Sequence, residues 1–218
     1  MKKRLCITFI LVATLVCLVV YSGRQGDKRR KIVYSQSLDL VAAQINGEDL
    51  TLRDLAFYVA YEENQVEQQA LAYNCEDTSR YWNMRTDHTY IRIAARNAAI
   101  QMALHDELFY QMAQQEEIRL SEQEEELLAT SVADFWADLT DDEKENMLGI
   151  EYEDIAESME KMAYAQKMQF IYSQLNNTDY ETYDFSTDTY AAMLEEQDYK
   201  IYEDVWGRVD FGNVTLVH

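Results

Sequence analysis

Val41-Ala-Ala-Gln-Ile-Asn-Gly-Glu-Asp-Leu-Thr-Leu-Arg-Asp-Leu55 is the stretch whose reading decides the fold. Residues 41–46 read as a short strand running into a turn at Asn46-Gly47, where a left-handed backbone costs glycine little. A helix is expected next, because Thr51 followed by Asp54 has the layout of a capping box. Leu55, Val59, Val66, Ala70 and Tyr73 then mark one apolar face, interrupted by Glu62.

Outward from there the helical signals accumulate. Residues 74–86 are polar and read as a loop or short helical turn carrying Tyr81 and Trp82. Ile91, Ala95, Ala98, Met102, His105, Phe109 and Met112 step by three and four, which predicts a long helix with Leu104 and Leu108 broadening its seam. Ser121 and Glu124 form a second capping box, with Leu128, Val132, Phe135 and Leu139 as the stripe behind it. A short helix over 140–148 begins with Asp141, Asp142 and Glu143 and stops at Gly149. The last strong helix spans 152–175, with Tyr164, Met168, Ile171 and Leu175 on one seam and Ile155, Met159 and Met162 beside it. A short helix is expected around 190–196. Beyond it Tyr199, Ile201, Val205, Val209 and Phe211 alternate with more polar residues, a strand period, and 214–217 follow a Gly212-Asn213 turn. These strands need a partner, and the strand at Val41 is the candidate.

At the other end, Lys2, Lys3 and Arg4 precede a charge-free apolar run over residues 5–21. Its seventeen residues, at about 1.5 Å each, reach roughly 25 Å, enough to engage a membrane. No small residue precedes Cys17 as a lipoprotein requires and no cleavage site closes the run, so an uncleaved anchor is expected. Residues 1–31 hold eight of the 19 Lys and Arg, leaving 11 basic against 39 acidic residues in 32–218, a charge of about −28. Such a surface repels nucleic acid and anionic headgroups and favours basic partners.

Several chemistries lack their materials. The histidines at 88, 105 and 218 are scattered, with no HExxH and no cysteine pair, so no metal or cofactor is expected; Cys75 stands alone outside the apolar run. No phosphate-binding glycine motif occurs among six glycines, and the acidic runs lack the spacing of a calcium loop. His105, beside Asp106 and Glu107, reads as a hydrogen-bonded core residue rather than a general base. Above this background stand 9 Met, 16 Tyr and 3 Trp, side chains suited to grooves that accept varied sequences.

Three segments carry a resemblance. Residues 41–55 quoted above are similar to the opening of the amino-terminal chaperone region of the SurA and PrsA class of extracytoplasmic foldases: strand, Asn-Gly, hydrophobe, then Thr and an acidic helix start. Residues 103–126, with Leu104, Phe109, Ile118, Leu120, Ser121 and Glu124, resemble that family's paired-hydrophobe helix and next helix start. Leu148-Gly-Ile-Glu-Tyr-Glu-Asp-Ile155 with Ala165-Gln-Lys167 resembles a third element, so the likeness spans 41–175. Family isomerases carry a separate parvulin domain, for which the residues after Leu175 leave no room, and Glu117 stands where the family usually has glycine.

The residue pattern predicts a mainly α fold with a small β element pairing the two ends of the soluble chain and an acidic, Tyr-rich segment with short strands over 179–218, and the resemblance implies that residues 32–178 form a SurA-N-like helical domain. Residues 1–31 form the anchor and basic linker. It also implies a non-enzymatic, chaperone-like module on the outer side of the cell membrane, binding unfolded or extended segments of exported proteins. Tyr58, Tyr61, Trp82, Phe109, Trp136 and Phe170 are the candidate peptide-binding residues, chosen for aromatic character and helical placement. The alternatives are a structural or assembly subunit of an envelope complex, and a residual prolyl isomerase. The oligomeric state is left open.

Overall fold

In the computed structural model, which describes residues 30–86 and 88–217, Asn46 and Gly47 both take positive φ, 51° and 88°. Two successive left-handed residues make the tight hairpin turn that matches strand twist. The chain therefore folds straight back, and Val41–Ile45 (β1) pairs antiparallel with Glu48–Thr51 (β2). Residues 48–51, read from sequence as the approach to a helix, are thus a strand. The reciprocal bonds of Thr51 and Asp54 do form, with Asp54 Oδ2 accepting from the Thr51 N–H at 2.8 Å and hydroxyl at 2.6 Å. They shape the turn from β2 into the helix Ala56–Tyr73 (α1) rather than capping the helix itself.

The two extended ends do meet. Tyr199–Ile201 (β3) lies antiparallel on the other edge of β1, giving the order β2-β1-β3. The expected strand continues no further. Residues 206–208 make a single 3₁₀ turn, and Trp206, Val209, Phe211 and Val214 are all buried along an irregular path. With both edges of β1 taken, this tail crosses the helices instead.

Ser79–Trp82 (α2) is the short turn foreseen in the polar segment. Ile91–Gln115 (α3) is the central helix, buried on every side from Ala103 to Phe109. Glu122–Asp138 (α4) starts at Ser121 with both capping-box bonds present, and presents Leu128, Val132, Phe135 and Leu139 as its inward stripe. Residues 143–148 form a π-helical turn closed by Gly149 at φ 71°, where a side chain would also strike Ser35. Tyr152–Asn176 (α5) packs along α3, and Asp188–Glu195 (α6) precedes β3. One buried cluster runs through the whole described chain from Tyr34 to Val214.

Three faces differ from their sequence reading. On α5 the buried residues are Ile155, Ser158, Met159, Ala165, Met168, Gln169 and Ser173, while Leu175 is exposed. Small and hydrogen-bonded polar residues occupy that seam, and Ser158 Oγ donates to the Asp54 carbonyl at 3.2 Å. On α3 the fully buried residues include Ala99, Ile100 and Ala103, with Ala98 and Met102 only half-buried. On α1 Tyr73 is exposed and Glu63 is buried.

The anchor expected over residues 5–21 falls outside the described residues. Among those described, no helix is long and apolar enough to cross a membrane.

Glu62, the interruption in the α1 face, is half-buried, and burial pushes its carboxyl up to about 7. The fold therefore favours its neutral form: the contribution is complete below the unfolded value near 4.5 and is lost as pH rises through 7. Glu62→Gln, permanently neutral, is expected to match the parent at pH 4 and exceed its stability at pH 8. After discounting for partial exposure, the gain is about 1 kcal/mol, read from urea midpoints at the two pH values.

Candidate functional site: a cleft between helices

Because α4 buries only its narrow stripe, it covers α5 incompletely and leaves two adjoining cavities. The first, about 490 Å³, lies between α4 and α5 and is walled by Leu120, Leu127, Leu128, Phe170 and Ile171. The second, about 650 Å³, reaches α1 and α3 and is walled by Phe57, Tyr58, Tyr61, Met102, Phe135 and Phe185. Ser131, Met159, Met162, Gln166 and Tyr180 line both, so the two form one continuous cleft. These volumes are those of ordinary ligand sites.

The aromatic wall is built from α1 and α4. Phe57 lies stacked on Tyr61, with ring centroids 6.0 Å apart, and tilted against Phe135 at 4.9 Å. The opposite wall is held by Gln169, whose amide donates to the Tyr180 carbonyl and to Asp184, both at 3.0 Å. That pair of bonds ties the 3₁₀ turn Tyr180–Tyr183 to α5.

The charges are unequal along the cleft. In the first cavity Glu124 is paired with Lys167. The Lys167 hydrogen bond, followed by those from Ser121, holds the Glu124 carboxyl down to about 2. In the second cavity Asp134, Asp138 and Asp184 face the space, and among the described residues none of them has an ion-pair partner. Its floor is Asp106, which accepts from the Tyr58 hydroxyl at 3.0 Å and sits 2.9 Å from His105 Nδ1. His105 Nε2 lies 3.1 Å from the Tyr183 carbonyl. Both ring nitrogens therefore face oxygen atoms. Burial first, then Asp106, pushes the Tyr58 phenol well above its ordinary range. Every polar atom of this trio is committed to another, and the group braces the cleft floor.

Of the six residues singled out in the sequence, the structure brings three to the cleft. Tyr61 and Phe170 stand on its walls, Phe170 with 54% of its surface exposed, and Tyr58 forms part of the lining from a nearly buried position. Trp82 and Phe109 have 0% exposure and are core residues, so neither is available to a peptide. Trp136 points to the other side of α4, edge-on to Tyr152 at 5.9 Å and beneath Lys144 Nζ at 4.9 Å, joining α4 to the start of α5. Met102, Met159 and Phe135, read as core, also form cleft wall. The sequence reading missed Leu127, a leucine 67% exposed at the end of an acidic run.

Among the described residues no group of three His, Cys, Asp or Glu side chains gathers where a metal ion could be held. Compared with known proteins, the chain matches no family model, no curated protein and no solved structure.

Proposed function

We propose that this chain is a membrane-anchored, non-catalytic, chaperone-like module that holds unfolded or extended segments of exported proteins in the cleft between α4 and α5. The observation that carries this reading is the continuous lining of Met159, Met162, Tyr61, Tyr180 and Phe170. Methionine conforms to different shapes and tyrosine offers a broad face with a polar tip, so such a lining accepts many sequences weakly rather than one tightly. The apolar run over 5–21 would hold the module at the outer surface of the cell membrane.

Kinship with the chaperone region of the foldase class is supported by the order hairpin, helix, long helix, capped helix. A backbone detail adds to it. Glu117 takes a left-handed φ of 53°, and the Ile118 N–H bonds back to the Ala113 carbonyl at 2.9 Å. This is the helix-ending geometry that glycine adopts most readily, and glycine is the residue the family usually carries there.

The test is a fluorescence titration of the full chain, in mild detergent, with a permanently unfolded polypeptide. Saturable binding is expected, and Phe170→Ser should weaken it about fivefold to tenfold through the lost apolar contact. Its thermal midpoint should barely move, since the side chain already lies half in water. Failure to bind, together with tight copurification of one protein, would replace this reading with an assembly subunit. Turnover of a proline-containing peptide would overturn the non-catalytic part.

A further inference from the structure

From the distribution of charge along the cleft we infer that it has a polarity: it takes an amphipathic segment whose apolar part lies in the first cavity and whose Lys or Arg side chains lie in the second. This rests on the peptide-binding reading and specifies its substrate class and orientation. The first cavity offers Leu127, Leu128, Phe170 and Ile171, and its one carboxylate, Glu124, is already neutralised by Lys167. A charged side chain arriving there would lose hydration without gaining a partner.

The second cavity is the reverse. Asp134 and Asp138 stand four residues apart on one face of α4, and Asp184 faces them across the cleft lining. Like charges at that helical spacing repel, and an arriving cation removes the repulsion while gaining two carboxylates. The exposed ring of Tyr61, stacked on Phe57, adds a flat electron-rich face within the same cavity. The chain's charge of −21 extends this field outward and speeds the encounter with basic segments. A second copy of the chain, equally acidic, is disfavoured by the same field.

The experiment compares three labelled peptides that share one apolar block and end in Lys-Lys, Gln-Gln or Glu-Glu, titrated onto the full chain in nonionic detergent. The Lys peptide should bind about tenfold tighter than the Gln peptide at low salt, the Glu peptide weakest, with the spread shrinking as salt is added. The double variant Asp134→Asn with Asp138→Asn, at two exposed positions, should cut the Lys-to-Gln ratio to about twofold by weakening the Lys peptide. A photocrosslinker at the basic end should mark the carboxyl half of α4, and one in the apolar block should mark Leu127 or Phe170. Equal affinities, or crosslinks in the opposite order, overturn the polarity while leaving peptide binding in place. No binding by any of the three overturns both, and peptide release driven by self-association of the chain assigns the cleft to a second copy instead.

Discussion

Trp82→Ala is expected to destabilise the fold by about 4 kcal/mol and to leave peptide affinity unchanged in whatever fraction stays folded. The indole is fully enclosed, and its Nε1 donates to Glu67 at 2.8 Å. The tail rests directly on its ring: Gly212 takes φ 85°, and a Cβ there would come within 2.8 Å of the indole carbons. Alanine leaves a cavity bordered by α1 and by the tail segment that rests on the indole. Trp82→Phe keeps most of the volume and loses the hydrogen bond, so about 1 to 2 kcal/mol is expected from it. Urea unfolding gives both numbers, and the titration with unfolded polypeptide separates a packing role from a binding one. A Trp82→Ala protein that stayed stable but lost peptide binding would return Trp82 to the cleft.

That pair of outcomes bears on why aromatic character alone misled. Trp82, Phe109, Trp136, Tyr61 and Phe170 are equivalent in sequence, each a large ring at a helical position. What distinguishes them is which neighbour covers them, and that is set by the tail, by α5 and by the incomplete contact of α4. Leu127 differs from them in being aliphatic and in lying beside the inward stripe of α4 at the end of a run of glutamates. Signals that depend on a few adjacent residues were legible: Asn46-Gly47 as a turn, though not the strand that follows it, Ser121 with Glu124 as a helix start, Gly149 as a stop. The buried face of α5 was not, because Ser158, Ala165, Gln169 and Ser173 are inside for closeness and hydrogen bonding rather than for hydrophobicity.

The same limit explains the tail. Residues 214–217 read as a strand because valine and leucine alternate with polar residues there, and a strand needs partners for its N–H groups. Here the partner is a side chain. Glu63, buried on α1, receives the Gly212 and Val214 N–H groups on Oε1 at 2.6 and 3.2 Å, and the Thr215 N–H and hydroxyl on Oε2 at 2.7 and 2.6 Å. One carboxylate thus takes the place of a β ladder across 149 residues of sequence, a separation at which no spacing rule operates.

Glu63→Ala is therefore expected to cost about 3 to 4 kcal/mol, because four donors lose their acceptor at once in a region closed to water. Burial pushes the Glu63 carboxyl up from its ordinary range, and the four donated bonds pull against that push; the site is balanced between a desolvation cost and a full set of partners, with the donors idle if the carboxyl goes. Glu63→Gln keeps one acceptor oxygen but turns an NH₂ toward two of the donors, so it should recover less than half of the loss. The effect is also local in a way that a generic core defect is not. Amide exchange at Gly212, Val214 and Thr215 should accelerate far more than exchange in α3, with β3 following because the tail is the continuation of that strand. Loss of less than 1 kcal/mol, or uniform acceleration through the whole core, would mean that Trp82, Val209 and Phe211 hold the tail by packing alone and that the buried carboxylate is incidental to it.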